Sequence, residues 1–161
     1  MLLTAQAAGQ LLNTVVNNTG TIQAQTIDQR NGTILLLGDM QSGTVNVGGT
    51  LDASAPQGGD GGFIETSAAR VNVSNAARVT TMAGQGSTGT WLIDPQDFTI
   101  GSAPGDNISG ATLSAQLVNS NISITTAGAG AENGDIFVND AVSWTAAGEP
   151  TTLSMTADRN V

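Results

Sequence analysis

Glu65 and Asp94 each close a short apolar burst that begins at a glycine: Gly62-Phe63-Ile64-Glu65 and Gly89-Thr90-Trp91-Leu92-Ile93-Asp94. Two carboxylates about 5 Å apart are the arrangement with which retaining glycosidases work. Equivalent positions on adjacent windings of a stacked sheet would stand about 4.8 Å apart. The spacing therefore raises glycan hydrolysis as a candidate chemistry. The plainer reading is that both acids are turn residues at the corners of the chain path, with Asp94 leading into Pro95. No histidine, lysine or aromatic platform accompanies them to move a proton or hold a sugar. The plainer reading is adopted, and no residue is assigned as catalytic. Arg70 and Arg78, the nearest bases, sit next to structural valines and read as surface residues.

Metal and cofactor chemistry finds little to work with. Gly58-Gly59-Asp60-Gly61-Gly62-Phe63 begins like the Gly-Gly-x-Gly-x-Asp calcium repeat of some solenoids. Its sixth position is Phe63, and the unit does not recur. Its glycines read as a turn, since glycine adopts positive φ without steric cost. Asp97, Asp106, Asp135 and Asp140 are spread through turns and would at most support weak calcium contact by one pair. Without cysteine there are no disulfides or thiolate sites, and without histidine the commonest metal ligand is missing. No metal and no cofactor are expected.

Two further residue classes carry a double reading. Asn-x-Ser/Thr sequons stand at Asn17, Asn31, Asn72, Asn107 and Asn121 as candidate glycosylation sites. Asn46 and Asn72 read instead as stacked amides that hydrogen-bond from coil to coil. Trp91 and Trp144 would stack on sugars if exposed, but in a chain this poor in aromatics core or end packing is the expectation.

The elements that must position these residues repeat. Val45-Asn46-Val47 is echoed by Val71-Asn72-Val73, and each phrase leads to a glycine and an apolar burst. Related bursts follow Gly32 and Gly134. Strand and turn recurring every twenty-odd residues is the mark of a solenoid. The expected fold is all-β, with stacked coils over 21–161 and one short helix over 5–16. That helix rests on Leu11, Leu12, Val15 and Val16 sharing a face, with Gly20 as its cap. Ile34–Leu37 reads as buried on both sides or at a corner. Short strands are expected at Asn107-Ile108-Ser109, 121–124, 136–138, 142–144 and 153–155. A column of Val, Leu and Ile would hold the stack, so a charge at Val73 or Leu92 is expected to disrupt it.

Net charge is −9 with a pI of about 4.1. Nucleic acid, whose phosphates require Lys and Arg, is therefore an unsuitable partner. No apolar run reaches the roughly 18 residues of a membrane helix. Met1-Leu2-Leu3 opens without a basic region, so no signal peptide is read. The whole chain, 1–161, is taken as one domain. It begins abruptly and ends in mid-pattern at Asp158-Arg159-Asn160-Val161, so a segment of a longer protein is expected.

The residues now assembled resemble a known family. Thr4-Ala5-Gln6-Ala7-Ala8-Gly9, Val15-Val16-Asn17-Asn18-Thr19-Gly20-Thr21-Ile22-Gln23-Ala24 and Arg30-Asn31-Gly32-Thr33-Ile34 are similar to stretches of filamentous haemagglutinin-type adhesins. These are the large exoproteins of bacterial two-partner secretion. Gly61-Gly62-Phe63-Ile64-Glu65-Thr66-Ser67, Thr88-Gly89-Thr90-Trp91-Leu92-Ile93-Asp94-Pro95 and Gly134-Asp135-Ile136-Phe137-Val138-Asn139-Asp140 resemble phrases of the same family. The resemblance implies a right-handed parallel β-helix, exported unfolded through an outer-membrane transporter and displayed on the bacterial surface. There it would bind a host-cell or matrix receptor or glycan. The family's secretion domain carries Asn-Pro-Asn motifs; this chain has no Asn-Pro pair, so it resembles the portion following that domain. The expected function is attachment, without enzymatic activity. The alternatives are the shaft of a contact-dependent inhibition exoprotein and a polysaccharide-processing β-helix enzyme.

Overall fold

Val45, Asn46 and Val47 lie beside Val71, Asn72 and Val73, residue for residue, in parallel register. The repeated phrase is thus a repeated winding. The structure, a computed structural model, describes residues 2–4, 15–27, 30–128 and 132–161. The first winding carries β1 (Leu2–Thr4), β2 (Val15–Asn18) and β3 (Thr21–Gln23). The second carries β4 (Thr33–Leu37), β5 (Thr44–Val47) and β6 (Thr50–Asp52). The third carries β7 (Phe63–Ser67), β8 (Arg70–Val73) and β9 (Arg78–Thr80). Beyond it come β10 (Thr90–Asp94), β11 (Phe98–Ile100), helix α1 (Gly110–Leu117), β12 (Asn121–Thr125), β13 (Ile136–Val138) and β14 (Leu153–Thr156).

Four sheets result: β1-β4-β7-β10-β12-β14, β2-β5-β8, β3-β6-β9 and β11-β13. The strand pairs within them are parallel, and the whole is a β-solenoid of about five turns. Winding length varies: 26 residues separate the stacked Asn46 and Asn72, but 29 separate Asn17 and Asn46. The turns between strands absorb the difference.

Inward side chains form columns. Ile34, Ile64, Trp91 and Ile122 are in register on one, and each is essentially fully buried. Ile22, Leu51 and Val79 form another. Each such side chain contributes roughly 1.5–3 kcal/mol by leaving water. Ile34 and Leu36 point inward, whereas Leu35 and Leu37 are half-buried, so this run alternates as an ordinary strand does rather than being buried on both sides. Thr66 is the polar member of its column; its Oγ1 accepts the indole N–H of Trp91 at 3.0 Å. A buried indole donor is thereby satisfied.

The glycines before the bursts stack as well. A Cβ on Gly62 would fall 2.1 Å from the Gly32 carbonyl oxygen, and one on Gly89 would fall 2.0 Å from that of Gly62. The windings approach too closely there for any other residue. Gly134 does not belong to this column: the burst after it forms β13, which pairs with β11.

Several expectations change. The N-terminal helix of 5–16 lies outside the described residues over 5–14, while Val15 and Val16 belong to β2. Val16 is buried against the register of Val45, and β-branched side chains favour that pleated surface over a helix. Gly20 joins β2 to β3 rather than capping a helix, and Asn18 Nδ2 donates to its carbonyl at 2.9 Å. Residues 142–144 form no strand. Asn107-Ile108-Ser109 forms none either; Ile108 makes one isolated bridge, to Ile100.

The one helix among the described residues, α1, occupies a stretch for which no element was expected. Ser109 is its N-cap, accepting the Thr112 N–H on Oγ at 3.2 Å. Leu113 and Leu117, one turn apart, are buried. The helix ends the β3-β6-β9 sheet. Gln116 Oε1 accepts the Val79 N–H at 2.8 Å, and Gln116 Nε2 donates to the Ala77 carbonyl at 3.3 Å. Asn107 ends the β2-β5-β8 sheet in the same way. Its carbonyl accepts the Val73 N–H at 2.8 Å and its Nδ2 donates to the Val71 carbonyl at 2.8 Å. Open strand edges invite unwanted pairing, and both are covered. The largest sheet runs on to β14, where Leu153 and Met155 are only half-buried. Among the described residues, no helix is long and apolar enough to cross a membrane.

Candidate functional site

Glu65 and Asp94 lie on adjacent windings, within β7 and β10 rather than at corners. Register sets them apart. Glu65 pairs with Leu92 and Asp94 with Ser67, which makes the two acids a diagonal pair. Strand geometry then puts their Cα atoms about 8 Å apart instead of one strand spacing. Ser67 Oγ donates to Glu65 Oε1 at 2.8 Å. Partial burial, with the Glu65 charge adding to it, pushes the Asp94 carboxyl above the usual range.

The turn at Gly58–Gly62 is a turn, as expected: Gly58 and Gly59 hold φ of +112° and +84°. Asp60 Oδ1 accepts the Ser87 N–H at 2.8 Å and so ties two windings together. The other acids fasten backbone too. Asp106 Oδ2 accepts the Ala103 N–H at 2.9 Å. Asp140 Oδ2 accepts from Ser102 Oγ and from the Gly110 N–H at the start of α1, and these bonds hold its carboxyl below the usual range. Asp135 is gripped by the Arg159 guanidinium, with the same effect. Among the described residues, no three acidic side chains converge as metal ligands would.

The amide ladder is present and one rung longer than the repeat suggested. Asn72 Nδ2 donates to Asn46 Oδ1 at 2.9 Å, and Asn46 Nδ2 donates to Asn17 Oδ1 at 2.7 Å. Three candidate glycosylation amides, those of Asn72, Asn107 and Asn121, thus donate within the structure; Asn121 Nδ2 reaches the Thr88 carbonyl at 2.7 Å. Asn17 is exposed and closes the ladder as an acceptor, while Asn31 is exposed and makes no side-chain hydrogen bond among the described residues.

Trp91 is wholly buried, and Trp144 is half-buried with its Nε1 donating to Thr151 Oγ1 at 3.0 Å. The aromatic side chain most open to solvent is Phe137, at 47%.

Phe137 stands at a lateral groove of about 470 Å³ that also takes in Arg70, Asp97 and Glu132. These residues come from three windings. Arg70 opens β8, Asp97 precedes β11, and Glu132 and Phe137 flank the start of β13. Asp97 Oδ1 accepts the N–H groups of Gly134 and Asp135 at 2.7 and 2.8 Å, which fixes its carboxylate. A hydrogen bond with Asp97, and its charge, raise the Glu132 carboxyl above the usual range, while Arg70 partly counteracts the shift. Arg70 is exposed, and its side chain makes no hydrogen bond or ion pair among the described residues. A larger groove of about 810 Å³ runs between α1 and β9. Its arginine, Arg78, is turned onto the Ala77 carbonyl at 2.7 Å.

Sequence reasoning passed over the groove because its members are remote in the chain. The one local signal was alternation in Ile136-Phe137, which turns Phe137 outward when Ile136 turns inward.

Fold and site together define a parallel β-solenoid with a polar groove on one flank. Compared with family models, curated proteins and solved structures, the chain matches none.

Proposed function

We propose that this chain is a shaft segment of a secreted bacterial surface adhesin of the filamentous haemagglutinin type, acting by attachment rather than catalysis. The observation that carries the reading is the continuous register of β1-β4-β7-β10-β12-β14. Such a stack closes its interior columns and presents its outward side chains in rows along a lengthening face. Contacts that are weak singly add along such a face. The absence of cysteine suits a chain exported unfolded, since no disulfide need form afterwards. In this reading the partners are an outer-membrane two-partner-secretion transporter, engaged through a preceding region, and a receptor or glycan on a host cell or matrix.

The test is adhesion under flow. Beads coated with the folded chain should be retained on epithelial or matrix-coated surfaces above beads coated with the heat-denatured chain. Equal retention of the two would overturn the reading.

A further inference from the structure

We propose that the flank groove holding Arg70, Asp97, Glu132 and Phe137 binds an uncharged, hydroxyl-rich sugar unit. The inference deepens the adhesive reading and rests on it. Phe137 offers an apolar plate: its register partner Thr99 is half-buried, and the ring itself is left open to solvent. The C–H face of a pyranose packs on such a ring as other apolar groups do. Sugar hydroxyls both donate and accept, and the groove supplies both complements. Among the described residues, the Arg70 guanidinium donates to no protein group. The Asp97 carboxylate is held in one orientation by two backbone N–H groups and accepts. A pre-set acceptor binds with less ordering cost than a mobile one.

Charge sets the class of sugar. The groove has one guanidinium against two carboxylates, in a chain of net charge −9. An acidic sugar would meet repulsion from both the site and the surrounding field. The groove, at about 470 Å³, falls within the usual range for small-ligand sites.

The experiment is an array of neutral and acidic glycans probed with the whole chain, followed by calorimetric titration of the best neutral disaccharide. Phe137→Ala and Arg70→Gln are compared with wild type, and Arg78→Gln in the other groove serves as the charge control. Both groove side chains are exposed, so melting curves should be unchanged. The expected result is binding of a neutral sugar, weakened about tenfold in each groove variant and unchanged in Arg78→Gln. Undiminished binding in both groove variants, a preference for acidic glycans, or no neutral glycan bound would overturn the assignment. Bead retention separates the two levels. If beads adhere and the groove variants adhere equally, the groove assignment falls while the adhesive reading stands. If wild-type beads also fail to adhere, both fall.

Discussion

Gln116 stands where a strand would otherwise lie: its side-chain carbonyl accepts the Val79 N–H at 2.8 Å and its amide donates toward Ala77. One side chain on a helix thus imitates the donor and acceptor of a neighbouring winding. Asn107 closes the other edge with its backbone carbonyl, which accepts from Val73, and its side-chain amide, which donates to Val71. The two smaller three-stranded sheets end on these residues, while the main sheet continues.

Replacing Gln116 by Leu keeps the buried bulk of the side chain and leaves the Val79 N–H without a partner. An unsatisfied buried donor costs about 1–3 kcal/mol. The melting temperature should fall by several degrees, as read by circular dichroism. An unchanged transition would show that the helix is not what closes this edge.

Val73 and Leu92 part company once register is known. Val73 is 6% exposed and points into the coil; Leu92 points outward and is half-buried, in register with Glu65 and Ser123. The expectation that a charge at either would disrupt the stack therefore holds for one position only. Val73→Asp should prevent folding or lower the melting point sharply, because a buried unpaired charge is expensive. Leu92→Asp should leave a cooperative transition. Similar damage from the two would contradict the inward–outward assignment.

Thr81 is fully buried, and its Oγ1 has no hydrogen-bond partner among the described residues. Thr81→Val removes that hydroxyl at nearly constant shape. The variant should be more stable by about 1 kcal/mol, raising the melting temperature by about 2–4 °C. A lower melting temperature would mean that the hydroxyl is engaged.

The raised carboxyl of Asp94 makes a pH prediction. A group that holds its proton more tightly when folded contributes stability at low pH, and that contribution is lost as pH rises through its folded pKa. Asp94→Asn should match wild type below the ordinary carboxylate range and become more stable than wild type above the raised value. Solvent screening at this half-buried site keeps the gain small, about 1–2 °C at neutral pH. Melting curves between pH 3 and 7 decide it; a gain largest at low pH would reverse the sign.

Glycosylation of the folded chain should be selective. Asn107 is buried with its amide committed to Val71, whereas Asn31 is exposed and its amide makes no bond among the described residues. An asparagine glycosyltransferase given folded protein should modify Asn31 and not Asn107, as peptide mass spectrometry would show. Glycan on Asn107 would require modification before folding, or a different placement of that loop.

The order of the chain by itself determined that there is a solenoid. The two Val-Asn-Val phrases, the glycine ahead of each burst and the scarcity of charge all follow from one local demand: each winding must fit its copy. Such a demand is written into consecutive residues, because an inward column needs small or branched apolar side chains at every second position, as at Ile34, Leu36, Ile64 and Ile93. Helix α1 was legible too, in Ser109 followed by Leu113 and Leu117, but a strand reading of Asn107-Ile108-Ser109 displaced it. Tertiary structure alone decided the rest. The offset of Glu65 from Asp94 depends on where each strand starts against its neighbour, which turn length controls. The edge closure by Gln116 joins residues 37 positions apart. The groove at Phe137 gathers side chains from three windings. Packing between windings sets such relationships, and no local pattern encodes a distance across the stack.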